Sequence, residues 1–247
     1  MFISVITIIM TIIIMFLTDL LFPKFCLGCG YIGVYLCSSC FKKLDLIKID
    51  YCFYCKEPSL YGLTHNNCIR KLNVDGLLAI YHYNPVLKKI IKNIKYRLAT
   101  EVWEDFYKII IPGAIEKLGF YKRLSQDFVI QPIPLSKMKY KERGFNQAKF
   151  ISVFFQKFLH YPIVDLLIRE KEISSQAQIK SRKARYLNTK GMFAVNSKCR
   201  DAKFCVSNKN IILIDDVITS GSTVKEATKV LKEAGAKNVY ALALAKG

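Results

Sequence analysis

Apolar and polar positions change period twice within the last forty residues or so of the chain. Ile211 to Ile214 is an unbroken apolar run, the pattern of a short strand buried on both faces. From Val224 to Ala234 (VKEATKVLKEA) apolar residues recur at helical spacing, and Gly235 supplies the stop. Asn238 to Ala245 (NVYALALA) then reads as the next strand. Strand, helix and strand form a βαβ unit, which requires parallel pairing and makes the fold class α/β. Farther upstream, QPIPLSKMKYKERGFNQA (residues 131–148) predicts a strand ending at Pro134, a basic loop, and a helix continuing through KFISVFFQKFL. Arg143 and Gly144 fall where that loop becomes helix. At the other end, MFISVITIIMTIIIMFLTDLLF has no charge before Asp19. It lacks a basic lead and a small-residue cleavage site, and its apolar run is only just long enough to span a bilayer.

The residues between the predicted strand and helix carry chemistry. Ligands of open α/β sheets gather beyond the carboxyl ends of the strands, where Asp215 and Asp216 are followed by Thr219, Ser220, Gly221, Ser222 and Thr223. Small residues leave the backbone N–H groups unshielded, hydroxyls add donors, and the helix dipole favours an anion, so this turn suits a phosphate. Carboxylates would repel phosphate, and they accept hydrogen bonds from sugar hydroxyls instead. A phosphorylated ribose satisfies both halves. The competing reading is an ordinary βαβ turn with a Ser/Thr cap and two solvated aspartates.

Composition adds a second domain and a charge. An apolar content of 52% over 247 residues supplies ample core for one large or two modest domains and excludes a disordered chain. The formal net charge of +19 predicts attraction to polyanions. Residues 131–210 hold 17 Lys and Arg against 5 Asp and Glu, so most of the excess directly precedes the candidate phosphate loop. Of nine cysteines, seven lie between positions 26 and 68. Two-residue gaps separate Cys26 from Cys29, Cys37 from Cys40, Cys52 from Cys55, and His65 from Cys68. Such pairs let two side chains reach one ion from a single turn, and four ligands of this kind form a zinc tetrahedron. Disulfides are the alternative, suited to small secreted scaffolds. In sequence order the ligands make two sites, Cys26, Cys29, Cys37 and Cys40 for one ion and Cys52, Cys55, His65 and Cys68 for the other; an interleaved arrangement uses the same residues. Cys199 and Cys205 show no metal spacing.

IILIDDVITSGST (residues 211–223) resembles the phosphoribosyl pyrophosphate (PRPP) motif of type I phosphoribosyltransferases at all thirteen positions. The resemblance implies that Asp215 and Asp216 bind the ribose hydroxyls and that Thr219, Ser220, Gly221, Ser222 and Thr223 bind the 5-phosphate. Residues 131–148 resemble the signature of the ComF family, a P-x-P-L strand, a basic loop and R-G-F-N-Q. YNPVLKKIIKNIKYR (83–97) is similar to that family's helix ending in a Lys-Tyr pair, and Gln176, Arg185, Asn188, Gly191 and Phe193 match a further block. The zinc-ligand pairs resemble its double zinc ribbon, with His65 and Cys68 where a fourth Cys pair is usual. The resemblance covers residues 16–247.

Family resemblance thus implies a double zinc ribbon at 23–72, after an apolar segment at 1–22, and a phosphoribosyltransferase-like domain at 73–247. That domain is expected to have a central parallel sheet with helices on both faces. A phosphoribosyltransferase stabilises departing pyrophosphate with cations, for which Lys95, Lys137, Arg143 and Arg185 are the candidates, with Mg²⁺ bridging pyrophosphate and ribose oxygens. No residue stands out as a catalytic base. Little chain follows the last strand from which to build a hood over a nucleobase. The implied role is handling of single-stranded DNA during natural competence, beside DNA-import machinery, either as a PRPP-cleaving enzyme or as a DNA-binding protein that senses PRPP. In the second case Tyr140, Phe145 and Tyr186 are candidate stacking platforms. Met15 begins MFLTDLLFPKFCLGCG, similar to the usual ComF opening, so translation from Met15 and a cytoplasmic protein are expected; an inner-membrane anchor at 1–22 is the alternative.

Overall fold

The computed structural model describes residue 10 and residues 20–94, 114–124, 127–170, 190–197 and 206–247. Lys95, Arg185, Tyr186, Met15, Cys199 and Cys205 lie outside them, as do Gln176 and Asn188. The chain divides between two compact units, Met1–Leu44 with Asn84–Ile109, and Asp45–Tyr83 with Ile110–Gly247. This division passes between the two predicted metal sites, whereas the sequence places the domain border after residue 72.

In the first unit, α1 (Ser38–Lys42) is capped by Cys37 and carries Cys40, and α2 (Pro85–Ile94) begins with proline at its first helical position. Asn84 caps α2, its Oδ1 accepting from Leu87 N at 2.9 Å. The side-chain amide of Asn93 donates to the carbonyl of Leu27 at 2.6 Å, tying α2 to the first cysteine turn.

The second unit is built on four strands, β1 (Gly76–His82), β2 (Phe128–Pro132), β5 (Asn210–Ile218) and β6 (Asn238–Lys246), in the order β1-β6-β5-β2. All three pairings are parallel. A short antiparallel pair, β3 (Leu167–Arg169) and β4 (Phe193–Val195), lies apart from this sheet. Both faces of the parallel sheet are covered, which is why its strands read as apolar runs rather than alternations. Leu77, Val129, Ile211, Leu213, Val239 and Ala241 share one core cluster with Val224, Ala227 and Leu231 of α5 (Ser222–Glu233). On the other face, α4 (Gln147–Leu159) packs on β2 and β5, and Tyr121 of the helical residues 114–124 sets its ring 5.6 Å from Tyr240 of β6.

Two elements differ from their sequence expectations. Strand β5 continues through the acidic pair to Ile218, because β6 pairs with it as far as Ile218↔Lys246. The predicted basic loop is a helix, α3 (Lys137–Arg143), capped at one end by Ser136 and at the other by Gly144 in the left-handed region. Four of its seven residues are basic, and the lack of apolar periodicity in KMKYKER hides it from a pattern reading.

Candidate functional site

The candidate site is the carboxyl end of β5. Asp215 pairs with Ala243 and Val217 with Ala245, so the acidic pair is held in register with β6, just past the point where the β2 pairing ends at Ile214. Each carboxylate is anchored locally: Asp215 Oδ1 accepts from Asp216 N and Asp216 Oδ1 from Val217 N, both at 2.8 Å. Both residues are half-buried. The loop then turns at Gly221, whose φ of 72° is the left-handed conformation that glycine adopts without steric cost.

Gly221 is the N-cap of α5 and brings no side-chain cap. The first intrahelical bond is donated by Lys225 N to Gly221 O at 2.9 Å, so the amides of Ser222, Thr223 and Val224 precede the ladder. Ser220 and Ser222 share a hydroxyl hydrogen bond of 2.9 Å beside them. Ser222 N donates to Ser220 Oγ at 3.4 Å, and these amides, the two hydroxyls and the dipole of a twelve-residue helix are parts that suit an anion, next in the chain to two carboxylates.

The neighbouring strand brings the basic segment to the same edge of the sheet. Ile133 N, just past β2, donates to Ile214 O at 2.9 Å, and Asn146 reaches back to Ile133 O at 3.0 Å. Arg143 donates from Nη1 to Gln147 Oε1 at 3.3 Å, while its Nε and Gln147 Nε2 are buried without an acceptor among the described residues. Lys137 is exposed at the start of α3. Tyr140 is 54% exposed, but Phe145 is only 6% exposed and packs edge-on against Phe150, so its ring serves the core and not a stacked base.

The cysteines gather in sequence order. In the first unit the thiols of Cys26, Cys29, Cys37 and Cys40 all lie within 4.8 Å of one another, with Cys37 Sγ 3.7 Å from both Cys26 Sγ and Cys29 Sγ. Tetrahedral zinc with bonds of about 2.3 Å sets its sulfurs about 3.8 Å apart, so the group fits the ion. A Cβ on Gly28 would come 2.7 Å from Cys40 Sγ, so the turn around the cluster accommodates only glycine. None of these cysteines is disulfide-bonded. Burial opposes ionisation of Cys26, but the amides of Cys37, Cys29 and Gly28 outweigh it and bring the thiol down to about 6, whereas burial and its sister thiols push Cys40 up to about 12. A divalent ion held by the four would favour the Cys40 thiolate, which burial and its neighbours oppose.

In the second unit Cys52, Cys55 and Cys68 form an equivalent three-thiol group within 4.8 Å. His65 Nδ1, the sequence candidate for a fourth ligand, lies 3.2 Å from Cys55 Sγ but not within 4.8 Å of all three thiols. Burial again opposes the Cys52 thiolate, and the amides of Cys55, His65 and Tyr54 lower it to about 6. The turn after each Cys pair has the same form: Gly30 N donates to Cys26 O at 2.8 Å and Lys56 N to Cys52 O at 3.1 Å. Gly30 has φ +82°, and Lys56 adopts φ +69° in its place.

Three contacts of the second unit have no mark in the sequence. Phe53, between Cys52 and Cys55, is buried against the turn at Gly221. Glu226 of α5 accepts from Gly191 N at 2.5 Å, fixing the segment before β4. Lys117 forms a buried ion pair with Asp50 at 2.8 Å. Each depends on a contact more than thirty residues apart in the chain.

Residues 17–69 match the double zinc ribbon domain and residues 159–247 the phosphoribosyl transferase domain. The chain is 30% identical to the competence protein ComFC of Bacillus subtilis, over 81% of this chain and 79% of that protein. It is 26% identical to competence protein F of Haemophilus influenzae, covering 85% and 90%. It is 23% identical to the DNA utilization protein YhgH of Escherichia coli K12, covering 86% and 90%.

Proposed function

Because the chain belongs to the ComF family of competence proteins, with a phosphoribosyl transferase domain behind a double zinc ribbon, we propose that it binds PRPP at the carboxyl end of β5 and handles single-stranded DNA in competence. The observation that carries the reading is the adjacency of two strand-held carboxylates to an uncapped helix N-terminus. Asp215 and Asp216 accept the ribose hydroxyls, and the amides and hydroxyls of Thr219 to Thr223 take the 5-phosphate. Arg143 and Lys137, in α3 after the neighbouring strand, are the described cations for pyrophosphate; Lys95 and Arg185, the other sequence candidates, lie outside the described residues.

Mg²⁺ carried with PRPP neutralises pyrophosphate charge when bound. The reaction of this reading breaks the C1–oxygen bond of PRPP, pyrophosphate leaving with the electron pair while an acceptor nucleophile adds to C1. The two cysteine groups hold one zinc each, His65 completing the second. The setting is the cytoplasm, next to DNA-import machinery; among the described residues no helix is long and apolar enough to cross a membrane.

A second reading rests on the excess of basic residues at 131–210, larger than one pyrophosphate needs. PRPP is then a regulatory ligand of a single-stranded DNA-binding protein. One experiment separates them: pyrophosphate release from PRPP and Mg²⁺, with and without single-stranded DNA. Release that depends on Asp215 and Asp216 establishes the enzyme. PRPP binding without release establishes the sensor. Calorimetry that gives Asp215→Asn with Asp216→Asn the same PRPP affinity as the native chain refutes both, since each lost charge-assisted hydrogen bond is worth about 1.5–3 kcal/mol.

A further inference from the structure

The second metal turn is part of the phosphate loop's packing. A Cβ built on Gly221 would lie 2.3 Å from Phe53 Cζ and 2.7 Å from Phe53 Cε2, so the Phe53 ring occupies the space under the loop's one left-handed residue. Phe53 is 3% exposed and belongs to the core cluster that includes Ile218 and Val224, the residues flanking the loop. It is also the residue after Cys52 and two before Cys55, so its backbone moves with two metal ligands. Tyr54, whose ring meets Phe53 edge-on at 5.2 Å, accepts from Val74 N at 2.9 Å and so fixes the turn to the start of β1.

Two ammonium groups converge on the same ring. Lys225 Nζ of α5 is 5.0 Å from the Phe53 centroid and 5.4 Å from that of Tyr54, and Lys56 Nζ is 4.6 Å from the Phe53 centroid. Lys56 also donates to the Phe53 carbonyl, from the left-handed backbone position that glycine fills in the first metal turn. A non-glycine residue there carries a steric cost, and strain of this kind is tolerated where its surroundings hold it in place. Cation–π contact secures Lys225 one turn into the helix whose first amides form the anion cradle.

We propose that Phe53 is a positioning residue for the phosphate loop, and that through it the metal at Cys52, Cys55 and Cys68 sets the rigidity, and hence the anion affinity, of residues 219–223. The metal of the first unit has no such effect. Holding Gly221 against a fixed ring keeps the amides of the cradle aimed at one point before the ligand arrives, which removes the ordering cost of binding. This rests on the PRPP reading for its ligand, but not for its loop.

The test uses the full, zinc-loaded chain, with zinc content, amide hydrogen exchange of residues 219–224 and PRPP affinity measured together. Phe53→Ala should keep both zinc ions, speed exchange in the loop about tenfold, and weaken PRPP by a similar factor, while Phe53→Leu restores most of both. Gly221→Ala should weaken PRPP at least about tenfold in the native background, and by clearly less beside Phe53→Ala, where the new methyl no longer meets the ring. Additive effects, or loop exchange unmoved in a zinc-replete Phe53→Ala protein, overturn the proposal. Should Phe53→Ala not fold, Phe53→Leu and the exposed ligands decide: Cys55→Ser must speed exchange at 219–224 and Cys29→Ser must not, and equal effects overturn it. A native chain that fails to bind PRPP removes the proposed function, while loop exchange in the same variants still decides the role of Phe53.

Discussion

Replacing Lys117 with methionine should cost this protein about 3–5 kcal/mol, the usual penalty for breaking a buried ion pair from one side. Lys117 Nζ lies 2.9 Å from Asp50 Oδ1, 2.8 Å from Oδ2 and 2.7 Å from the carbonyl oxygen of Ile47. The two side chains are only 10% and 8% exposed, so solvent screens them little. At that separation and an effective dielectric near 20 the attraction is about 6 kcal/mol, and it offsets the desolvation of both ions. Methionine keeps the volume but abandons a buried carboxylate and a carbonyl. The loss corresponds to a fall of about 10 °C in Tm.

Acid should relieve it. Burial raises the Asp50 carboxyl above its ordinary value, with Lys117 and Lys246 pulling the other way. A carboxyl whose folded pKa is raised costs stability above that pKa, and the cost disappears as pH falls through it towards the unfolded value. Without Lys117 the pKa rises further and the penalty at neutral pH widens. Denaturant unfolding of both proteins should therefore differ most near about pH 7.5 and converge towards about pH 4.5. Asp50→Asn in the Lys117→Met background should recover part of the loss. A deficit under about 1 kcal/mol, typical of an exposed pair, or one that is the same at both pH values, refutes the argument.

Elemental analysis of protein purified without chelator should find two zinc ions per chain, and Cys26→Ser should remove one while unfolding its ribbon, because small zinc modules take most of their folding energy from the metal; a native value of one removes a ligand set. Binding to single-stranded DNA should weaken with salt at a log–log slope of roughly −0.7 per phosphate contact. Replacing Lys180, Arg182 and Lys183 with alanine should flatten that slope without changing zinc content. Full competition by PRPP together with an unchanged slope in the triple variant would confine the basic face to the small ligand.

Local chemistry was legible in the sequence by itself. The run at 211–214, the helical spacing from 224 and the small and hydroxyl residues between them specify strand, turn and helix, because each is decided by neighbours within a few residues. The spacing of Cys26, Cys29, Cys37 and Cys40 is likewise local, and their thiols meet as two-residue gaps require. Tertiary structure decided the rest. Asp215 and Asp216 extend a strand only because β6 continues beside them, and KMKYKER is helical because Ser136 and Gly144 close its ends, not because it has an apolar face. Nothing near Phe53 indicates that its ring will fill the space below Gly221, nor near Lys117 that its partner is Asp50. Those contacts join residues far apart in the chain, and close packing selects them through the shape left between elements, which the pattern of apolar and polar positions does not encode.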